Sequence, residues 1–282
     1  MLDQADQLRR KMKRTRVISV ISGKGGVGKS NVSLNFAIAL RRLGKNVILI
    51  DLDIGMANLD ILMGVIPARS IVDMLEQRLA ISDIVERGTG GIPFIAGGTG
   101  LAEVVRLDER KRSHFLQQLQ ALEQQFDVIV FDMGAGVSED LLNFILASDE
   151  IFLVTTPEPT AVTDAYAALK FVVRRSQSAI PIRMIVNRCH DAAEGRETAM
   201  RLQKVSEQFL NQPISSFHSL PDDRTVSDAV KARVPVLLYG PRADISKAIT
   251  NLAERWCGLP VESGGFLRKL TGFLRRGKEK AL

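Results

Sequence analysis

The chain has 282 residues, 45% hydrophobic and 25% charged, which suits one large soluble α/β domain with its own core and needs no long disordered segment. Its two cysteines, Cys189 and Cys257, lie far apart and form no C-x-x-C pair, which argues against a disulfide framework and a metal knuckle and for reduced thiols. Residues 1–16 carry six basic and two acidic groups and residues 266–282 six basic and one acidic, so the +6 total leaves the body from 17 to 265 at −3; DNA is an unlikely partner for such a body, because phosphate contacts need basic side chains held in register on a folded surface.

No apolar stretch of signal-peptide length precedes Val17, and no run approaches the roughly 20 residues that span a bilayer. A cytoplasmic protein is expected. Asp3-Gln4-Ala5-Asp6-Gln7-Leu8-Arg9-Arg10 form a short amphipathic segment with a basic tail, equally compatible with a frayed terminus. The first buried-strand run is Val17 to Ile21 and the first helical run Val32 to Leu43, with Ser22-Gly23-Lys24-Gly25-Gly26-Val27-Gly28-Lys29-Ser30 between them. A phosphate-binding loop needs glycines so that successive backbone N–H groups can surround phosphate oxygens, a lysine for the β- and γ-phosphates and a hydroxyl for Mg²⁺. Gly23, Gly28, Lys29 and Ser30 meet that need, and Gly25, Gly26, Val27 and Asn31 complete the expected cradle. Nucleotide phosphates and Mg²⁺ are thus the expected ligands. Lys24 is a second lysine, badly placed for its own loop backbone but able to reach the γ-phosphate held by a neighbouring subunit.

Short apolar runs recur at Val47 to Ile50, Ile92 to Ile95, Val128 to Phe131, Ile151 to Thr155 and Ile182 to Val186, mostly separated by helical patterns. Such alternation predicts a doubly wound, mainly parallel sheet with helices on both faces and functional loops at the carboxyl ends of the strands. Asp51 and Asp53 follow the second strand. They could cap a helix or form a turn, or as alternate residues point into the nucleotide crevice. Asp132 closes the strand ending in Phe131, where an acidic residue holds Mg²⁺ through its water shell, and Gly134 and Gly136 after it let the backbone respond to the γ-phosphate. Asn187 and Arg188 follow another strand, and Pro221 and Asp222 open a further loop. His114, His190 and His218 share no spacing that suggests metal or catalysis. Segment 241–256 has the period of an amphipathic helix with Pro241 near its start, and Gly258 to Gly265 reads as a linker.

Beyond it, Phe266, Leu267, Leu270, Phe273 and Leu274 recur at helical spacing, with Arg268, Lys269, Arg275 and Arg276 on the remaining surface or its edge. A helix about 16 Å long cannot span a bilayer but can lie in its interface, where anionic headgroups add about 1 kcal/mol per basic residue. The alternative is a last helix docked on the body. Phe-Leu beside Arg-Lys after a glycine linker favours the membrane surface.

The loop KGGVGKS resembles the deviant Walker A loop of the MinD/ParA ATPases. That resemblance implies an ATP-bound homodimer in which Lys24 contacts the partner's nucleotide. The segment D-x-D-I-G-x-x-N-L-D from Asp51 to Asp60 is similar to switch I of the MinD branch and implies that Asp53 orients the attacking water, that Asp51 supports the metal and that Asp60 contributes to the dimer face. Switch II in that family carries D-x-P-A-G, whereas this chain has Gly134 in place of the proline, implying a more flexible switch. In relatives the positions of Asn187, Arg188, Pro221 and Asp222 border the adenine. The lack of C-x-x-C sets the chain apart from the iron–sulfur carriers of this class, and its two tyrosines, Tyr166 and Tyr239, from the tyrosine-cluster autokinases.

The C-terminal helix is similar to the membrane-targeting helix of MinD, and D-Q-A-x-x-L-R near the start resembles the activator motif of the FlhG (YlxH) family of flagellar-number regulators. This implies that Gln4, Leu8 and Arg9 stimulate FlhF, a GTPase of signal-recognition-particle type, and that flagellar C-ring components are further partners. The expected organisation is an activator segment over 1–16, an ATPase domain over 17–257, a linker over 258–265 and a membrane-targeting helix with a basic tail over 266–282. A division-site MinD, which lacks the basic N-terminal extension, and a ParA-like segregation ATPase are the competing readings.

Overall fold

Buried β-branched strands alternate with amphipathic helices because each strand is apolar on both faces and each helix on one. The computed structural model describes residues 15–53, 58–98, 109–137, 139–176, 180–259 and 265–279, with the side chains of 140 and 275–279 outside the description. Gln4, Leu8 and Arg9 lie outside the described residues, as do positions 54–57 of the expected switch I.

In chain order the elements are β1 (Arg16–Ser22), α1 (Lys29–Arg42), β2 (Val47–Leu52), α2 (Leu59–Met63), α3 (Ile71–Gln77), β3 (Glu86–Arg87), β4 (Pro93–Ile95), α4 (Glu109–Gln125), β5 (Val128–Met133) and α5 (Glu139–Ala147). They continue through β6 (Glu150–Thr155), α6 (Pro159–Arg175), β7 (Ile182–Cys189), α7 (Ala192–Leu210), β8 (Ser216–Pro221), α8 (Arg224–Lys231), α9 (Val236–Tyr239), α10 (Asp244–Cys257) and α11 (Phe266–Glu279). The sheet runs β3-β4-β2-β5-β1-β6-β7-β8, parallel throughout except for the antiparallel β3–β4 pair at one edge.

Strand alternation sorts the core into two layers. Val17, Ile21, Ile50, Phe131, Met133 and Leu153 face α3 to α7, while Ile18, Val20, Leu49, Val130, Phe152 and Val154 face α1, α9 and α10. Phe36 of α1 meets Phe152 and Trp256 at ring-centroid distances of 5.0 and 5.7 Å, which ties the loop-bearing helix to the sheet and to α10. At the amino ends of the strands a buried Glu150 accepts from Trp256 Nε1 at 2.6 Å and pairs with Arg16 and Arg183, so the pole opposite the candidate site is clamped by a satisfied ionic cluster.

In this structure the last helix takes the docked arrangement. The apolar face of α11 completes the first core layer: Phe266 is 2% and Leu270 0% exposed. Phe266 lies 5.5 Å from Phe131 between ring centroids, and Leu267, Phe273 and Leu274 pack against the same layer. The physical reason is that the helices covering this side leave a greasy groove, and an amphipathic helix on a short tether satisfies it. Burying each such side chain is worth about 1.5–3 kcal/mol. Glu123 of α4 accepts the Leu267 N–H at 3.3 Å, a negative group at the positive end of α11. Among the described residues no helix is long and apolar enough to cross a membrane.

Candidate nucleotide-binding site

The loop after β1 is shaped by two glycines whose side-chain absence is required. A Cβ on Gly23 would collide with the backbone of α6 at Asp164, so the loop can pass this close to the helix only as glycine. Gly28 has φ 90° and would place a Cβ on Asn187 Nδ2, so it is the point where the loop turns into α1. Helices α7 and α8 start with Asp191 and Asp223, whose carboxylates accept backbone N–H groups of the first turn. By contrast, α1 begins at Gly28 with no side-chain cap and no acidic residue in its first turn. Its leading N–H groups and the positive end of its dipole are left for an anion.

The strand-end carboxylates arrive on the same side as α1 by alternation. Phe131 and Ile50 face the other layer, so the residues after them, Asp132 and Asp51, face α1, and the two are register partners on β5 and β2. Asp132 is 1% exposed, and its Oδ1 accepts from Lys29 Nζ at 3.0 Å and from Ser33 Oγ at 2.9 Å. Its Oδ2 is buried and has no hydrogen-bond partner among the described residues. The Asp51 carboxylate accepts the N–H of Asp53 at 2.9 Å and of Leu59 at 3.5 Å. Burial, and next the Asp132 charge, push the Asp51 carboxyl well above the ordinary carboxylate range, against those two hydrogen bonds and the Lys29 charge.

A cavity of about 850 Å³ opens over this constellation. Lys24, Gly25, Gly26, Val27, Gly28, Lys29, Ser30 and Asn31 form its floor, with Asp53 and Ala135 at one side and Arg188 and Asp222 at another. Gly134 leaves room for the first of these walls: a Cβ there would lie 3.2 Å from Asp53 Oδ1, so the segments after β2 and β5 touch where the family pattern has proline. Lys24 sits at the rim, its Nζ 2.7 Å from Glu158 Oε2 and 3.0 Å from Thr160 Oγ1 at the start of α6. The hydrogen bond from Lys24, and then its charge, hold the Glu158 carboxyl below its usual range.

Two of the residues expected at the adenine do not line the cavity. The pairing of β7 with β8 shifts register between Val186 and Cys189, and this bulge turns Asn187 under the loop, where Nδ2 donates to the Val27 carbonyl at 2.8 Å. Asn187 therefore braces the loop with its amide nitrogen. Arg188, at φ 58°, emerges on the cavity side. Pro221 ends β8 and does not line the cavity, whereas the residues after it do.

The sequence reading missed the far wall, made by Val226, Ser227, Val230 and Lys231 of α8 together with Ile61 and Leu62 of α2. The available signal was Asp223 followed by Thr225, a cap whose Oδ1 accepts the Thr225 N–H at 2.9 Å. It also missed Ser33. His114, His190 and His218 are away from the cavity, and among the described residues no group of three or more His, Cys, Asp or Glu could hold a metal.

A divalent cation nevertheless fits. Mg²⁺ binds through one or two carboxylates, waters and substrate phosphates rather than through an all-protein cage. Asp132 Oδ2 is a buried acceptor without a partner among the described residues, burial and then the Asp132 charge raise the Asp51 carboxyl, and Ser30 supplies a hydroxyl one residue after Lys29.

A loop cradle, an uncapped helix start and paired strand-end carboxylates on a mainly parallel sheet define a P-loop nucleoside triphosphatase of the MinD type. The chain belongs to the ParA family, whose model, described as an NUBPL iron-transfer P-loop NTPase, matches residues 13–257. As a member of that family it is an ATPase. It is 35% identical over 259 residues to the antiactivator FleN of Pseudomonas aeruginosa, covering 91% of this chain and 92% of that protein. It is 36% identical over 205 residues to the flagellum site-determining protein YlxH of Helicobacter pylori, covering 70% of this chain and 66% of that one. Among solved structures, the septum site-determining protein MinD of Pyrococcus horikoshii complexed with Mg-ADP matches with a TM-score of 0.69 at 25% identity, covering 88% of this chain and 99% of that one.

Proposed function

We propose that this ATPase is a dimerising switch that regulates flagellar number and placement, cytoplasmic in one nucleotide state and peripheral on the inner face of the cell membrane in the other. The observation that carries the reading is the similarity to the FleN antiactivator along nearly the whole of both chains. The N-terminal motif with Gln4, Leu8 and Arg9 stimulates FlhF, and C-ring components are further partners.

The site supplies the moving parts. Phosphates entering the cradle compete with Asp132 for Lys29, and Ser30 and the N–H groups of α1 take the phosphate oxygens. Mg²⁺, when bound, neutralises the charge that develops on the transferred phosphoryl group. Asp132 and Asp51 hold its hydration shell, and Asp53 orients the attacking water. Lys24 exchanges Glu158 for the phosphate of the partner subunit, an easy exchange because an exposed ion pair is weakly held. Membrane attachment requires α11 to leave its groove, since Phe266 and Leu270 cannot face lipid and core together. Two released helices on one dimer gain by effective concentration over one.

The test is GTP turnover by FlhF with the full chain, with a chain lacking residues 1–16, and with a peptide of residues 1–23. Stimulation by the first and third but not the second is expected. Equal stimulation by the truncated chain overturns the assignment of the N-terminus.

A further inference from the structure

We infer that Ser33 is a positioning residue that aims the free oxygen of Asp132 at the magnesium shell. It lies one turn beyond Lys29 on α1, is 0% exposed, and is flanked by the buried apolar residues Val32 and Leu34. A buried helical serine ordinarily returns its hydroxyl proton to the carbonyl four residues back, and here the Lys29 carbonyl is 3.1 Å away. The same hydroxyl is closer to Asp132 Oδ1, at 2.9 Å, and it has one proton for two acceptors. The charged acceptor is the stronger partner, so the proton goes to the carboxylate.

That choice matters when nucleotide binds. Oδ1 is shared by Lys29 and Ser33, whereas Oδ2 has no partner among the described residues. Once phosphate recruits Lys29, Ser33 is the remaining donor from α1 that fixes which oxygen faces the helix and which faces the cavity. Without it the carboxylate is free to rotate about its last torsion, and both oxygens are drawn to whatever donor is nearest. Mg²⁺ tolerates little deviation from octahedral geometry, so an outer-shell carboxylate that rotates weakens the metal rather than the nucleotide.

The inference rests on the reading of Asp132 as the magnesium-side carboxylate, and the test separates the two. Affinity of a fluorescent ATP analogue is measured in EDTA and across a magnesium titration for the full chain and for S33A, S33T and D132N. S33A is expected to raise the magnesium midpoint roughly tenfold, within the range for lost outer-shell partners, while leaving affinity in EDTA unchanged, and S33T is expected to restore the midpoint. A midpoint unchanged in S33A but raised in D132N overturns the role of Ser33 alone. A midpoint unchanged in D132N overturns the metal reading on which it stands. Equal loss of affinity with and without magnesium in S33A, or failure of S33T to restore the midpoint, reduces Ser33 to a packing residue.

Discussion

The nucleotide loop and the helix α11 are both marked by short sequence motifs, yet only the first names its own occupant. In the cavity the geometry is carried by the backbone. Gly23 passes α6 at a distance no side chain permits, Gly28 turns at φ 90°, and strand alternation puts Asp51 and Asp132 beside α1. The glycine and charge positions there have few other uses. At α11 the information lies in side-chain chemistry alone, and an apolar helical face is satisfied by lipid or by Phe131 and its neighbours. A covalently local site is thus specified by its motif, whereas a docking face is specified only together with what it meets.

The sharpest way to strain that comparison is to remove one side chain from each region. Lys29→Ala takes away the cation that serves Asp132 and the phosphates, so ATP turnover is expected to fall by roughly two to three orders of magnitude, as for loss of a charge-stabilising donor. A steady-state phosphate-release assay reads this, and retained turnover would move the phosphate site away from α1. Leu270→Ala should destabilise the docked helix by about 2–5 kcal/mol and, because coupling between two sites is reciprocal, should shift the ATP-over-ADP affinity ratio toward ATP. Hydrogen exchange across 266–274 beside a nucleotide titration checks both halves. If that ratio is unchanged, occupancy of the cavity does not control the helix.

Glu123→Gln is the milder form of the same experiment. Burial holds the Glu123 carboxyl above its usual range against its hydrogen bond from Leu267, so the charge gains little at the start of α11 and docking should change by less than about 1 kcal/mol. A separate, pH-dependent effect belongs to the opposite pole. His218 is pushed down to about 4, chiefly by burial and then by the Arg255 and Arg183 charges. Its unfolded counterpart takes a proton near 6.5, so the unfolded chain binds more protons between those values. The contribution is intact above pH 6.5 and is lost as pH falls toward 4. His218→Gln should therefore flatten the drop in melting temperature between pH 7 and pH 5.

Much of the fold was legible because six apolar runs coincide with six of the eight strands among the described residues. The two that escaped, β3 and β8, are an edge of two residues and the half-exposed, polar Ser216–Pro221, where burial gives no continuous apolar run. Asp51, Asp132 and the loop could be read because period-2 alternation and glycine placement are local. Asn187 could not, since its direction is set by a bulge against β8 that only the paired strands reveal. The wall from α8 escaped for a similar reason: Val226 and Val230 look like any helical apolar pair until the chain brings them over the loop. The α11 face was readable as amphipathic, but its partner is a groove assembled from residues more than a hundred positions away.

The central claim is that occupancy of the cavity decides whether α11 is docked. Hydrogen exchange over residues 266–274 of the full chain, compared between ADP and a non-hydrolysable ATP analogue with anionic vesicles present, measures it directly. Protection matching the docked helix in ADP, replaced by vesicle-dependent protection with the ATP analogue, is the predicted result. The same docked protection in both nucleotides, with no vesicle binding, would contradict it.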